Sequence, residues 1–141
     1  MRWQFGIIDM MEKTDNLSEM QVFEKQPLVL AIVGDAVYTL YVRERLAKET
    51  NLKVNELSRR VSKNVNAKAQ HDSYFLIEPM LTDRELQVAK RARNTNIHSH
   101  AKNYSIEEYI YATAFESLLG YLKLLGREDR LKEIFDKLEL L

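Results

Sequence analysis

The chain has 141 residues, a length that fits one domain with a single hydrophobic core. It has no cysteine and three scattered histidines, which excludes disulfides and thiolate zinc sites and argues against a histidine-rich metal site. With 21 basic and 21 acidic residues the net charge is zero, so the chain as a whole is not a generic polyanion binder. The first twenty residues lack the long apolar run and the cleavage site of a signal peptide, so we expect a cytoplasmic protein.

The fold is predicted to be all-α, because four glycines and two prolines punctuate the chain and alternating apolar and polar runs are missing. We assign residues 1–24 to an N-terminal extension and residues 25–141 to one domain. Pro27 suits a first helical position, and a helical run of about 22 residues follows it from Leu28. The first 15 or so residues of this run are apolar nearly all round, which predicts a central helix surrounded by others. Asp35 at its middle argues against a membrane span.

Shorter helices are expected to follow in order, at about 55–64, 67–78, 83–93, 105–125 and 127–140. Asn66 can cap the second of these, and Thr82 and Ser105 open the third and fourth with a glutamate three residues later, the spacing of a capping box. Gly126 is placed to end the fourth in a left-handed conformation. Residues 94–103 are predicted to form one long polar loop.

The charges are unevenly distributed along the chain. Residues 52–102 hold ten basic and five acidic side chains, so this middle stretch is net +5 and the two flanks together are net −5. A basic stretch of this kind is compatible with nucleic-acid binding. Ordinary solvated helix faces are the alternative.

Asp35 is an unusual residue, a carboxylate within the most apolar helix of the chain. A buried unpaired charge would cost several kcal/mol, so Asp35 needs a partner. A hard cation such as Mg²⁺ is one such partner. A buried ion pair with an arginine, or a capping role, is the other. Gly34 costs roughly 1 kcal/mol of helix propensity and suggests a close approach to the backbone at this point.

Glu116 is the second acid in an apolar helix. If the two helices pack together, the two carboxylates converge, and they would repel each other unless a cation lay between them. Thr113 lies one turn before Glu116 and would then point the same way, in reach of a metal-bound water. A core threonine bonded back to a helix carbonyl is the alternative interpretation.

These residues fall in runs that resemble the ribonuclease III family. VGDAV at 33–37 with YVRE at 41–44 resembles its signature helix, and FESLLGYL at 115–122 resembles its second acidic motif. Four further runs resemble the short branch called Mini-ribonuclease III. They are VNAKAQ at 65–70, KRARN at 90–94, KN at 102–103 and ATAFE at 112–116. The resemblance covers about residues 28–131.

This resemblance implies a ribonuclease III-type helical endonuclease domain, packed around the signature helix, that dimerises and holds one catalytic centre in each subunit. Asp35 and Glu116 would hold Mg²⁺, with Mn²⁺ as a substitute, and cleavage would leave 5′-phosphate and 3′-hydroxyl ends. Leu28, Ala31 and Thr113 stand where the longer family members carry acids. The same losses are typical of the short branch, and they imply fewer protein ligands and more water around each ion.

By resemblance, the substrate is double-stranded RNA, in particular the stem that brackets the precursor of large-subunit (23S) ribosomal RNA. A substrate presented by a ribosomal protein is compatible with a net-neutral chain. We expect Arg91, Arg93 and Lys102, which border the polar loop, to bind the RNA backbone. Arg59, Arg60 and Lys63 are the next candidates. For this second group, ordinary solvent exposure is the alternative interpretation. The histidines, at 71, 98 and 100, are not expected to be catalytic.

Two rival functions remain open at this point. A catalytically silent ribonuclease III-like domain could bind RNA or act as a ribonucleoprotein scaffold, although it would have no need of two costly acids. A helical interaction protein could instead neutralise those acids with buried arginines such as Arg43 or Arg45.

Overall fold

The structure is a computed structural model and describes residues 17–95 and 103–141. Within these ranges it contains helices and no strand, which confirms the all-α prediction. In chain order the helices are α1 (Glu19–Phe23), α2 (Pro27–Glu49), α3 (Val54–Val65), α4 (Ala67–Ile77), a 3₁₀ turn (Glu78–Met80), α5 (Asp83–Arg93), α6 (Ile106–Leu124) and α7 (Glu128–Phe135).

The predicted helix starts are confirmed by hydrogen bonds at the caps. The Asn66 side chain accepts from the backbone N–H of Ala69 at 2.9 Å. Thr82 and Ser105 each form a complete capping box with the glutamate three residues on. Gly126 has φ +69° after α6, the left-handed conformation predicted for it. Local capping chemistry therefore fixes where α4, α5 and α6 begin and how α6 ends.

Helices α2 and α6 form the centre of the domain and cross each other at two glycines. A Cβ added to Gly34 would lie 1.6 Å from the backbone oxygen of Glu116, and one added to Gly120 would lie 1.8 Å from that of Leu30. The two backbones are thus in contact, which is the close approach that Gly34 predicted. Helices α4 and α5 pack on α6 and complete a core that includes Tyr38, Tyr74, Phe115 and Leu118.

One face of α2 is open rather than buried. Ile32 is 73% exposed, Leu40 57% and Val29 47%, and the small Ala36 between them is exposed too. The expectation that this helix is surrounded on all sides is therefore wrong for a single chain, because no other helix of the described ranges covers this side. No helix in residues 17–95 and 103–141 is long and apolar enough to cross a bilayer.

Two features differ from the sequence expectations. Helix α1 lies inside residues 1–24, yet its Val22 is fully buried in the core and its Ser18 and Gln21 form an unpredicted capping box. The last helix ends at Phe135 and not near residue 140. The chain turns back there, so that Leu138 is buried and the Leu141 backbone N–H donates to the Asn64 side chain at 2.8 Å.

Candidate metal centre

The α2–α6 crossing brings Asp35 and Glu116 to one pocket of about 280 Å³. Asp35 follows Gly34 on α2, and Glu116 supplies the carbonyl that Gly34 touches. The pocket is completed by the end of α3, the start of α4 and the chain leading into α6. Its further lining residues are Val65, Asn66, Ala67, Gln70, Tyr104, Tyr109, Ala112 and Thr113. The predicted convergence of the two acids is present in the fold.

The two carboxylates differ in their surroundings. Asp35 is exposed in the single chain, because it borders the open face of α2, so the prediction of a buried Asp35 is wrong. Glu116 is partly buried. Asp35 also lies in the interior of α2, which rules out the capping role. The buried charge in need of compensation is therefore that of Glu116.

The pKa of Glu116 is raised from 4.5 to about 8. Burial is the largest cause, because it removes water from the charged carboxylate, and the negative charge of Asp35 acts in the same direction. A hydrogen bond from the Gln70 side chain acts in the opposite direction and lowers the pKa. Near neutral pH, and without a cation, Glu116 therefore holds its proton.

The arginine interpretation of the acids has no support in the described ranges. In residues 17–95 and 103–141, no ion pair includes Asp35 or Glu116. Arg45 instead pairs with Glu49 at 3.0 Å and donates to the Tyr41 hydroxyl at 2.9 Å. Arg43 is exposed and lines the separate groove between α2 and α3.

Two further polar residues of the pocket, Thr113 and Gln70, differ in how far the sequence predicts them. Thr113 lines the pocket one turn before Glu116, on the predicted side of α6. Gln70 is not among the predicted site residues. It lies in the buried stripe of α4 with Ala67, Tyr74 and Ile77. A polar residue at an apolar position of the helical period is the signal that could have identified it.

The chemistry of these donors fits a hard divalent cation. Two carboxylates line one pocket together with two amide and three hydroxyl side chains, and Mg²⁺ is commonly held by one or two carboxylates while it keeps several waters. A cluster of three or more acidic, histidine or cysteine side chains does not occur in the part of the chain that the structure describes. Asp35 and Glu116 are thus the residues that could hold the ion.

The five predicted RNA-binding residues that the structure describes, Arg59, Arg60, Lys63, Arg91 and Arg93, do not line the pocket. The Arg91 guanidinium donates to the Phe23 carbonyl and lies over the Phe23 ring, with 4.9 Å from its carbon to the ring centroid. Arg93 lies over the Tyr111 ring at 5.7 Å. Both side chains therefore make contacts within the chain. Lys102 lies outside the described residues.

The α3 group is more accessible. Arg59 is exposed and pairs with Glu56 at 3.5 Å, and Lys63 is exposed. Arg60 donates two hydrogen bonds to the Leu141 oxygen, at 3.2 and 3.0 Å, and so helps to hold the end of the described chain. Of these three, Lys63 lies two residues before the pocket residue Val65.

Comparisons with known proteins show which family the chain resembles. Residues 28–127 match the model of the ribonuclease III domain. The chain is 40% identical to a Mini-ribonuclease 3 from a Thermoanaerobacter species, over 93% of this chain and 92% of that one. It is 46% identical to that of Brevibacillus brevis, over 77% of this chain and 81% of the relative.

A solved structure shows the same fold. A crystal structure of a protein from Fusobacterium nucleatum is 30% identical and covers 80% of this chain and 90% of its own, with a TM-score of 0.73. The family model and the relatives span most of the chain, which confirms the resemblance seen in its motifs. The chain therefore belongs to the ribonuclease III family of endoribonucleases, in its Mini-ribonuclease III branch.

Proposed function

We propose that this chain is a magnesium-dependent endoribonuclease that cleaves double-stranded RNA in the cytoplasm as a homodimer. Its substrate would be a precursor stem of large-subunit (23S) ribosomal RNA. The observation that carries the proposal is the convergence of Asp35 and Glu116 in one pocket, where the negative charge of Asp35 raises the cost of charging Glu116. Such a pair is unfavourable by itself and becomes favourable beside a cation.

The chain's own residues would bind and orient the reacting groups. Asp35 and Glu116 would hold the ion, and Thr113, which lines the same pocket, would hydrogen-bond a water of its hydration shell. When bound, Mg²⁺ supplies positive charge for the scissile phosphate and activates water as a nucleophile. Hydrolysis would break the bond between phosphorus and the 3′ oxygen, so that the products carry a 5′-phosphate and a 3′-hydroxyl.

The pocket also suits a double-stranded substrate that approaches from outside. Asp35 is exposed, so the site is accessible to a backbone phosphate without opening of the core. A-form RNA is recognised mostly through its shape and its backbone, which requires cations on the surrounding surface. We propose Arg59, Arg60, Lys63, Arg91, Arg93 and Lys102 for these contacts.

The open face of α2 supports the homodimer. Val29, Ile32, Ala36 and Leu40 recur at spacings of three and four, so they form one apolar stripe. Two copies related by a two-fold axis would cover the same stripe on each other. Asp35 borders this stripe, so the second subunit would approach the edge of the metal centre.

The test is an incubation of purified protein with a long RNA duplex and with one of its single strands, in Mg²⁺, in Mn²⁺ and in chelator. Wild type is compared with Asp35→Asn, Glu116→Gln and the control Glu44→Gln, an exposed acid of the same helix α2 as Asp35. We expect metal-dependent cleavage of the duplex alone, lost by at least about 100-fold in the first two variants, the scale at which essential electrostatic groups act.

Other outcomes discriminate among the alternatives. Duplex binding without cleavage in any metal would favour the silent RNA-binding domain. Full activity of Asp35→Asn would contradict the proposed centre. A second arm compares a transcript of the ribosomal RNA stem, with and without ribosomal proteins, against a random duplex of equal length. Equal cleavage of both would reject the ribosomal substrate while leaving the nuclease intact.

A further inference from the structure

Gln70 is a polar side chain in a core position. It is 2% exposed, in the α4 stripe whose other members, Ala67, Tyr74 and Ile77, pack against the domain interior. It also lines the pocket that contains Asp35 and Glu116. Packing alone would be met by a methionine or leucine, which carry no polar group to desolvate.

The contacts of Gln70 join two parts of the pocket. Its Nε2 donates to the Val65 carbonyl at 2.9 Å, at the last residue of α3. The same side chain lines the pocket beside Glu116, and it lowers the pKa of the Glu116 carboxyl group, as a hydrogen-bond donor to the charged form does.

The remaining polar atom of Gln70 shows that the arrangement is costly for stability. Its Oε1 is buried and has no hydrogen-bond partner in the described ranges. A buried acceptor left without a partner costs about 1–3 kcal/mol. The amide group is therefore poorly explained as a core-stabilising group, whereas its Nε2 donates to the Val65 carbonyl at the wall of the pocket that contains Glu116.

We infer that Gln70 is a positioning residue for the metal centre, which holds the Glu116 carboxylate in place through the fixed end of α3. The inference rests on the proposed function, because it concerns how Glu116 is presented to Mg²⁺. Residues that orient a metal ligand through a hydrogen bond contribute about 10- to 100-fold to metal affinity. Gln70 would orient Glu116 in this way. It lies on α4, which carries neither of the two carboxylates.

The test measures metal binding without any RNA. Gln70→Met keeps the length and burial of the side chain and removes both donors. We expect the Mg²⁺ concentration that half-saturates the thermal stabilisation to rise about tenfold or more in this variant. In chelator its melting temperature should stay near that of wild type, because the lost hydrogen bonds are balanced by removal of the unpartnered Oε1.

Three further variants make the outcome decisive. Asn64→Ala removes another buried amide, 3% exposed and outside this pocket, and should lower the melting temperature equally with and without Mg²⁺. If Gln70→Met does not fold, Gln70→Asn keeps the amide but is too short to span Val65 and Glu116, and it should show the same loss of affinity. Asp35→Asn should abolish the metal response.

Unchanged Mg²⁺ affinity in the Gln70 variants, with the Asp35→Asn response lost, would overturn the positioning role and leave the metal centre standing. A full metal response in Asp35→Asn would instead overturn the proposed centre itself. A melting temperature lowered to the same extent at every Mg²⁺ concentration would identify Gln70 as a structural residue only.

Discussion

Gly34 and Gly120 face each other across the α2–α6 crossing, each against the backbone of the opposite helix. Their missing side chains bring the Gly34 Cα within reach of the Glu116 carbonyl and the Gly120 Cα within reach of that of Leu30. Asp35 is the residue after Gly34, and Glu116 lies one turn before Gly120. The spacing of the two carboxylates is therefore set by a backbone contact and not by side-chain packing.

Gly34→Ala should destabilise the domain strongly, because its Cβ would lie 1.6 Å from a backbone oxygen and the helices would have to separate. We expect a loss of about 3 kcal/mol in the free energy of unfolding, at the upper end of overpacking costs. Urea denaturation measures it. Gly126→Ala is the control, since open space surrounds that position and strain at φ +69° costs only about 1–2 kcal/mol. Similar losses in the two variants would show that the crossing relaxes easily.

The sequence predicted much of this geometry because its signals are local. Asn66, Thr82 and Ser105 cap helices through residues three positions away, so their effect can be read without the fold. The pairing of Asp35 with Glu116 was predicted from two acids in apolar helices, together with the family resemblance. Gln70 could not be singled out in the same way, because its hydrogen bond to Val65 and its place in the pocket beside Glu116 exist only in the folded chain.

Exposure was the least predictable property. The apolar stripe of α2 looks identical in sequence whether another helix or another molecule covers it, so the open face at Ile32 could not be foreseen. The structural use of Arg91 likewise depends on α1, which packs its Phe23 between Arg84 and Arg91. Such long-range contacts leave no periodic pattern.

The raised pKa of Glu116 predicts how stability depends on pH in chelator. A carboxyl group with a pKa of 4.5 unfolded and about 8 folded binds its proton more tightly in the folded state. Its contribution is therefore complete below pH 4.5 and is lost as the pH rises to about 8. Urea midpoints of wild type should fall across this window relative to Glu116→Gln, which does not titrate. Asp35→Asn should shift the fall to lower pH, because it removes one cause of the raised pKa; parallel curves in all three proteins would contradict the assignment.

Metal binding should show the opposite trend with pH. An ion that binds the Glu116 carboxylate must displace its proton, so the apparent Mg²⁺ affinity should rise with pH until about 8, by at most about tenfold per pH unit. Thermal stabilisation measured at several Mg²⁺ concentrations and pH values gives this dependence. An affinity that does not change between pH 6 and 8 would show that the ion does not bind the Glu116 carboxylate.

The open face of α2 predicts a dimer that one charge would break. Ile32→Glu places a carboxylate in the middle of the apolar stripe, and burying it between subunits would cost several kcal/mol. Sedimentation or light scattering should therefore report a dimer for wild type and a monomer for the variant at micromolar concentration. Leu76→Glu is the matched control, because Leu76 is also a strongly exposed apolar residue, at 55%, but lies on α4. Dimers that persist in Ile32→Glu would place the interface elsewhere.

Variants of Arg91 and Lys63 should separate structural from RNA-binding cations. Arg91→Ala loses the hydrogen bond to Phe23 and the contact with its ring, so the free energy of unfolding should fall by about 1–2 kcal/mol. Lys63 is exposed on α3, so Lys63→Ala should leave stability within about 0.5 kcal/mol. If Lys63 contacts a phosphate, its variant should weaken binding to all duplexes alike and reduce the slope of log affinity against log salt by about one.

Arg91→Lys keeps the charge without the stacking geometry, so retained RNA affinity in this variant with reduced stability would assign Arg91 to both roles. An unchanged salt slope in Lys63→Ala would remove Lys63 from the RNA surface.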